Sequence, residues 1–214
     1  MSEPILFGAA YSVYVRVARL ALAEKQVRYR LHEIDIFAAG GPPAEYADRH
    51  PFQRIPAFEH DGFRLYETGA ITRYVDEAFA GPPLMPAAPR ARARVSQIIS
   101  IIDSYGYRPL IWDIFVERVR APAQGREADE AKIAAAVPRA QTFLRALQDL
   151  ADSSGPYLAG SDVTLADLHA APVFAYFTLA KEGRDLLALQ SHLRAWWQVM
   201  RERPSIAATR SPLE

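Results

Sequence analysis

The sequence predicts a small α/β domain followed by an all-helical domain. Short apolar runs suited to strands alternate with amphipathic helical patterns up to about residue 80, whereas every pattern after residue 90 is helical. Between them, residues 81–89 read GPPLMPAAP, whose prolines interrupt any regular element. We therefore expect an α/β domain over 1–80, a stiff linker over 81–89 and a helical domain over 90–214.

Local patterns account for each element of the first domain. Ser12 is a plausible cap for a predicted helix over 12–26, where apolar residues recur at helical spacing. A second helical pattern runs over 68–79. Short or alternating apolar runs predict strands at residues 4–7, 29–36, 57–59 and 63–66. Residues 38–51 are rich in glycine and proline and are expected to form a loop.

The second domain is expected to contain four long helical stretches. They cover residues 90–119, 127–150, 164–179 and 189–203. The first is expected to bend near Gly106 and Pro109, and the next two contain prolines. Thr164 and Asp167 form a variant of the capping box, to which we assign a structural role.

Composition excludes several classes of function. The chain has 214 residues, half of them hydrophobic, and 25 basic residues balance 25 acidic ones, so no field favours nucleic acid or an anionic membrane. No cysteine is present, which excludes disulfides and a protein thiol nucleophile. The five histidines lack metal-ligand spacing, so we expect no metal site. No leader or bilayer-spanning apolar run is found, and we expect a soluble, cytoplasmic protein.

Pro56 lies at the mouth of the predicted hairpin, in the stretch HPFQRIPAFEHDGFRLYET at residues 50–68. Proline cannot donate a hydrogen bond to a sheet, and two interpretations stay open from the residues alone. One is a trans proline at a sheet edge. The other is a cis proline in a tight turn, because the cis bond costs only about 0.5–1 kcal/mol. Such a turn leaves the backbone groups of Ile55 free to pair with an extended, peptide-like ligand.

Glu67 and Thr68 open the helix that follows the hairpin. The first N–H groups of a helix, with the Thr68 hydroxyl, form an anion site, and the Glu67 carboxylate suits an ammonium group. Alone, this pair is typical of an ordinary helix cap. Next to Ile55, it suits a small peptide that carries an α-amino acid head.

Four stretches resemble the cytosolic glutathione transferases, and among them the phi class, which uses a serine. They are FGAAYSVYVRVARLALAEK at 7–25, HPFQRIPAFEHDGFRLYETGAITRY at 50–74, GSDVTLADLHAAP at 160–172 and HLRAWWQVMRERPS at 192–205. Together they cover nearly the whole chain in the right order. The resemblance implies a thioredoxin-like first domain, an all-helical second domain and a homodimer. It also implies glutathione as co-substrate in the detoxification of a small hydrophobic electrophile.

The resemblance also implies roles for individual residues. Pro56 is expected to be cis, and Ile55 to pair with the cysteinyl backbone of glutathione. Glu67 and Thr68 are expected to hold the γ-glutamyl end, and Ser12 to donate a hydrogen bond to the sulfur.

One feature of the phi class is missing from this sequence. Members commonly place a basic residue in the loop before the second helix, where it meets the glycine carboxylate of glutathione. Here the matching positions hold Gly41 and Pro42. Gln53 and Arg54 follow Phe52, and we expect Arg54 to take over the carboxylate with help from His50 or Arg49. The alternative is that glutathione binds weakly or that a different thiol is the substrate.

Ser12 is interpreted either as a helix cap alone or as the catalytic hydroxyl, and the resemblance favours catalysis. A free thiol has a pKa of about 8.5, and lowering it by about two units takes roughly 2.7 kcal/mol. One hydrogen bond to a charged group provides about 1.5–3 kcal/mol, and a helix N-terminus about 0.3–1 more. Ser12 therefore needs neither to ionise nor to have a general base. Tyr11 and Tyr14 are rival hydroxyls for the same role. Two interpretations of Arg16, on the same helix, stay open: it adds positive potential near the sulfur or, as we expect, it lies on the surface.

The electrophile is expected to bind between the two domains, where pockets tend to form. The residues expected to line this pocket are Tyr11, Phe37, Tyr107, Ile111, Trp112, Phe115 and Tyr176. Two alternatives share the glutathione site. One is a non-catalytic ligand-binding protein of the same fold, and the other is a glutathione-dependent isomerase or dehalogenase.

Overall fold

The computed structural model describes residues 2–214, and the chain divides into two compact units. The first unit consists of the residues up to Leu84 together with Pro204–Leu213, and the second consists of Met85–Arg203. The final short helix of the chain therefore packs with the α/β unit, although it follows the helical unit in sequence.

The elements alternate in the first unit and are all helical in the second. Strands β1 to β4 span Ile5–Phe7, Arg30–His32, Ala57–His60 and Phe63–Tyr66. Helices α1 to α9 span Val13–Glu24, Thr68–Ala78, Pro89–Ile101, Ala121–Ala123, Glu130–Leu150, Leu165–Phe177, Lys181–Ala188, Ser191–Arg201 and Pro204–Ala208. A 3-10 turn covers Ala44–Asp48, and wide, π-type helical turns cover Ile102–Gly106 and Arg108–Arg120.

The four strands form one mixed sheet in the order β2-β1-β3-β4. β1 pairs with β2 in parallel, while β1 with β3 and β3 with β4 are antiparallel. Leu6 stands opposite both Leu31 and Phe58, so apolar side chains fill the centre of the sheet. This topology, with a cis peptide bond between Ile55 and Pro56, confirms the predicted thioredoxin-like class of the first unit.

β2 is shorter than the strand predicted over 29–36. The C=O of His32 accepts the N–H of Gly8 at 3.0 Å, and the strand ends there. Three residues later, the Asp35 carboxylate accepts the N–H of Phe37 at 2.9 Å. This local side-chain bond competes with the ladder of the sheet, and the chain turns away from β1.

α1 packs against α2, and both helices bury apolar side chains. Ser12 caps α1 by accepting the N–H of Val15, and Val15 and Leu20 are fully buried. Ile71 and Val75 form the buried face of α2. Burying side chains of this size stabilises the unit by about 1.5–3 kcal/mol each.

Arg16 is buried, so the expectation that it is a surface residue is wrong. It is 2% exposed. Its guanidinium donates to the C=O of Ile206 at 3.2 Å and to the Thr209 hydroxyl at 3.5 Å. The C-terminal segment therefore covers this face of α1, and its partners lie about 190 residues away in sequence.

The second unit is built around α6, which is buried on all sides, as is typical of a central core helix. The predicted capping box at its start is confirmed, with Thr164 and Asp167 bonded reciprocally. The Asp167 carboxylate also accepts the N–H of Leu158 and the indole N–H of Trp196, both at 2.8 Å. Asp167 thereby joins the start of α6 to two other segments of this unit.

The predicted long helix over 90–119 changes from α-helical to wider, π-type turns where the bend was expected. α3 ends at Ile101, and wide turns include Gly106 and Pro109. A Cβ at Gly106 would come within 2.6 Å of the ring of Phe143, which lies on α5. Only glycine therefore leaves room for this contact. None of the helices described over residues 2–214 is long and apolar enough to cross a membrane.

Candidate functional site

Gly8 brings the start of α1 next to the segment before Pro56. A Cβ at Gly8 would lie 2.4 Å from Cγ2 of Val15 and 3.3 Å from Cβ of Ile55. Contacts below 3.0 Å are not tolerated without movement, so this position needs glycine. The first turn of α1 and Ile55 therefore lie on either side of one glycine, which places Ser12 near the proposed peptide-pairing segment.

Ser12 is half-buried and has one hydrogen-bonding function unused. Its Oγ accepts the N–H of Val15 at 3.4 Å, as expected for a helix cap. Within residues 2–214 its hydroxyl proton is donated to no acceptor. Ser12 can therefore cap α1 and donate to an external group at the same time.

Tyr11, the rival hydroxyl next to Ser12, has its proton engaged. Its OH donates to Oδ1 of Asp35 at 2.5 Å, and its ring stacks on Phe37 with centroids 6.3 Å apart. A phenol that donates to a carboxylate cannot donate the same proton to a thiolate. The geometry therefore favours Ser12 over Tyr11 as the donor.

Ile55 offers its backbone to a ligand. Neither its N–H nor its C=O forms a hydrogen bond within the described residues, although Ala57, two positions later, lies in β3. Unpaired backbone groups are costly unless water or a ligand satisfies them. This segment, which lies just before β3, therefore suits an extended peptide that pairs with it as a short extra strand.

Glu67 and Thr68 form the start of α2 with their polar groups unused. Glu67 has a φ of +71°, which is rare for a residue with a side chain and persists only where the surrounding structure enforces it. Its exposed carboxylate has no ion-pair partner among the described residues. The first intrahelical bond comes from the N–H of Ile71, so the N–H groups of residues 68–70 remain available for an anion.

Gln53 and Arg54 are exposed, and the backbone holds them in a defined turn. The N–H of Gln53 donates to the C=O of His50 at 2.8 Å, and Gln53 has a φ of +50°. The Tyr46 hydroxyl donates to the C=O of Arg54 at 2.7 Å. Burial raises the pKa of that hydroxyl, so Tyr46 keeps its proton for this bond. The Arg54 side chain is thus free to reach an anion at this turn.

His50, which was expected only to assist Arg54, is a buried residue of the same region. Burial lowers the pKa of its imidazole, the Glu67 carboxylate raises it, and Arg54 lowers it further, with a net value below the usual 6.5. These influences mean that His50 lies near both charged groups. Asp35 was missed altogether, because a single acidic residue in a predicted strand carries no signal of a bond to Tyr11.

The seven residues predicted to line the electrophile pocket fall into two groups. Tyr11 and Phe37 belong to the first unit and lie side by side, and Phe37 is exposed. In the second unit, Ile111, Phe115 and Tyr176 are buried, and the last two stack with centroids 4.5 Å apart. The remaining two, Tyr107 and Trp112, are half-exposed.

Accessibility therefore separates the candidates of the second unit. A ligand can reach Tyr107 and Trp112 without displacing the packing of that unit, whereas the other three contribute to its core. The role of all seven in electrophile binding stays a prediction. Over residues 2–214, no cluster of three or more metal-ligating side chains is found.

Comparisons with known proteins match two parts of the chain to one family. Residues 6–83 match the family model for the N-terminal domain of glutathione S-transferase, and residues 113–209 match the model for its C-terminal domain. A glutathione S-transferase of Hyoscyamus muticus is 29% identical, with 94% of each chain covered.

Two solved structures of similar proteins cover nearly all of the chain. Glutathione transferase F7 from Populus trichocarpa is 29% identical with a TM-score of 0.84, covering 96% of this chain and 97% of its own. A theta class glutathione S-transferase from the citrus canker pathogen Xanthomonas axonopodis pv. citri was solved with glutathione bound. It is 27% identical with a TM-score of 0.81, and 100% of both chains is covered.

Proposed function

The chain belongs to the glutathione S-transferase family, and we propose that it conjugates glutathione to a hydrophobic electrophile. Ser12 is proposed to stabilise the glutathione thiolate by donating a hydrogen bond to the sulfur. The observation that carries this role is the unused hydroxyl proton of Ser12, at the start of α1 and separated from Ile55 by Gly8.

Each polar group of the region corresponds to one part of glutathione. The free backbone of Ile55 suits the cysteinyl unit. The Glu67 carboxylate suits the α-ammonium of the γ-glutamyl unit, and the N-terminus of α2 with Thr68 suits its α-carboxylate. For the glycine carboxylate we propose Arg54, with Gln53 beside it as a further hydrogen-bonding group.

The reaction needs no protein group that ionises. Bound glutathione loses its thiol proton to solvent, and the Ser12 O–H and the N-terminal end of α1 stabilise the resulting charge. The thiolate then attacks an electrophilic carbon and forms a C–S bond. Either a leaving group departs with its electron pair, or an activated alkene takes up a proton. Because the thiolate is the nucleophilic form, the rate increases with the fraction of bound glutathione that is ionised.

Titration of bound glutathione tests this proposal most directly. The ultraviolet absorbance of the thiolate is followed against pH in the wild type, Ser12→Ala and Tyr11→Phe. We expect the thiol pKa to lie well below its free value of about 8.5 in the wild type and Tyr11→Phe, and near it in Ser12→Ala. Binding with an unshifted thiol in the wild type would favour the non-catalytic alternative.

We also propose a cytoplasmic homodimer. Support for an interface comes from apolar side chains exposed on the first unit, where Phe52 is 69% and Phe63 is 51% exposed. Phe52 and Tyr66 form one continuous patch, with ring centroids 6.3 Å apart. Light scattering of the purified protein tests the dimer, and a monomer at micromolar concentration would contradict it.

A further inference from the structure

His50 connects the two segments that form the proposed glutathione site. Its C=O accepts the N–H of Gln53 at 2.8 Å, so it begins the turn that leads to Ile55. Its ring centroid lies 4.9 Å from that of Tyr66, the residue before Glu67. The side chain is 2% exposed and therefore fills the space between these two segments.

We propose that His50 is a positioning residue for glutathione: its neutral imidazole is a wedge that sets the spacing between the Gln53–Pro56 segment and the Tyr66–Glu67 turn. This inference rests on the proposed glutathione binding and adds a residue that does not touch the ligand. Both neighbouring segments contain non-glycine residues at positive φ, Gln53 and Glu67. Such conformations persist only where the surroundings enforce them, and the buried ring provides that support.

The geometry requires the neutral form of the ring. Nδ1 of His50 is sealed from solvent and has no hydrogen-bond partner in the part of the chain that is described. In neutral imidazole, one nitrogen carries no proton, and an unpaired acceptor at Nδ1 is tolerable. Protonation would place an N–H donor there with nothing to accept it, which is costly in a buried site.

The groups around His50 come from three segments and act in opposite directions. Tyr46 lies on the 3-10 turn, Arg54 on the loop, and Tyr66 with Glu67 at the end of β4. The Glu67 carboxylate favours the imidazolium, while burial and the Arg54 guanidinium disfavour it and prevail, so the pKa lies below the usual 6.5. At neutral pH the wedge is therefore intact, and it is lost only on acidification.

Steady-state kinetics with saturating electrophile test the inference, using the wild type, His50→Ala, His50→Asn and His60→Asn. We expect His50→Ala to raise the KM for glutathione at least fivefold at neutral pH, with kcat changed less than twofold. In His50→Asn the side-chain amide replaces Nδ1 with a polar group that does not titrate, so its KM should stay within threefold of the wild type. His60 is also buried, at 3% exposed, but lies at the other end of β3, so His60→Asn should change thermal stability and not KM.

The pH profile separates this role from a merely structural one. Between about pH 7.5 and pH 5, the wild-type KM should rise, because the imidazole gains a proton. Protonation of the glutathione thiol raises the KM of both proteins to the same extent, so the KM of His50→Asn should rise less than that of the wild type. An equal rise in the two proteins would assign the titration to another group, such as the thiol or Glu67, and would overturn the inference.

Two further outcomes distinguish this inference from the proposed function. If the wild type does not bind glutathione at all, the proposed function fails. If it binds, and His50→Ala has an unchanged KM, only the positioning role fails. Should His50→Asn fold poorly, proton NMR of the wild type replaces it: glutathione should lower the pKa of His50, since binding favours the neutral ring, and an unchanged or raised pKa would contradict the proposal.

Discussion

The candidate site residues of the first unit and the buried carboxylates of the second unit differ in how far their polar groups are paired. In the first unit, the Ser12 hydroxyl proton, the backbone of Ile55 and the Glu67 carboxylate have no partner within the described residues. In the second unit, the buried carboxylate of Asp167 accepts four hydrogen bonds, and that of Asp113 is paired with Arg108 and Arg139.

This difference indicates where the chemistry takes place. Unpaired polar groups reduce stability, and a fold retains them where a ligand completes their hydrogen bonds. Groups that the protein itself pairs are already used and hold the packing in place. This contrast supports the proposal that the first unit carries the glutathione site, whereas the paired carboxylates of the second unit hold its helices in place. Substitutions in each unit should affect different measurements.

The largest expected effect is on the stability of the second unit. Asp167→Ala removes one acceptor from four buried donors, and each donor left unpaired costs about 1–3 kcal/mol. We expect the free energy of unfolding to fall by about 4 kcal/mol or more, measured by urea denaturation. Asp162→Ala is a control in the same loop, because its carboxylate is exposed and, within residues 2–214, accepts a hydrogen bond only from Ser161. If Asp167→Ala lowered the free energy of unfolding as little as Asp162→Ala does, the structural role of the Asp167 hydrogen bonds would be contradicted.

The second prediction concerns catalysis in the first unit. Ser12→Ala should lower kcat/KM for conjugation at least tenfold, since a hydrogen bond to a charged sulfur contributes about 1.5–3 kcal/mol. Ser12→Thr retains both a cap and a hydroxyl and should keep more of the activity. Unfolding curves of both variants separate this effect from the loss of the helix cap. Full activity in a folded Ser12→Ala protein would exclude Ser12 as the catalytic hydroxyl.

The sequence predicted those parts of the fold that depend on near neighbours. The hairpin, α1 and α2 were predicted to within a few residues, because periodicity, turns and caps are local signals. The capping box at Thr164 and Asp167 was recognised for the same reason. What could not be predicted was the exposure of Arg16, since its partners Ile206 and Thr209 are brought to it only by the folded chain.

The candidate site could be proposed from the sequence, and its residue roles stay predictions. Spacing and resemblance identified Ile55, Glu67 and Ser12 as candidates, and each of them has a polar group without a partner in the described residues. The sequence left Tyr11 open as a rival hydroxyl, and only its bond to Asp35 removes it. His50 is a comparable case, because its burial and unpaired Nδ1 depend on side chains from three separate segments.

A smaller effect is expected when one charge of the glutathione site is removed. Glu67→Gln should raise the KM for glutathione about fivefold, close to 1 kcal/mol, because the carboxylate is exposed and its attraction to an ammonium is partly screened. The kcat should change little, since this contact forms equally in the ground and transition states. Glu77→Gln, an exposed glutamate near the other end of α2, is the matched control and should leave KM unchanged.

The smallest expected effect is on stability and concerns Glu117, a carboxylate of the second unit whose partner is partly exposed. Glu117 accepts from Nζ of Lys132 at 2.6 Å, and this bond holds the pKa of its carboxyl below the usual 4.5. A carboxyl whose pKa is depressed on folding stabilises the protein above its unfolded pKa, and that contribution is lost as the pH falls through the folded value. The Lys132 side chain is 31% exposed, so Glu117→Gln should cost less than about 1 kcal/mol at neutral pH.

Acidification should then abolish the difference between Glu117→Gln and the wild type, whereas most of the Asp167→Ala deficit should remain. Below the folded pKa of Glu117 both proteins carry a neutral side chain at this position, and the ion pair with Lys132 no longer exists in either. Asp167 instead accepts hydrogen bonds from buried donors that do not titrate, and these stay unpaired in its alanine variant at any pH. Urea unfolding at two pH values measures both effects. If Glu117→Gln remained less stable than the wild type in acid, the charge of Glu117 would not be the cause. Glu117 would then stabilise the helical unit through packing and hydrogen bonds, as Asp167 does.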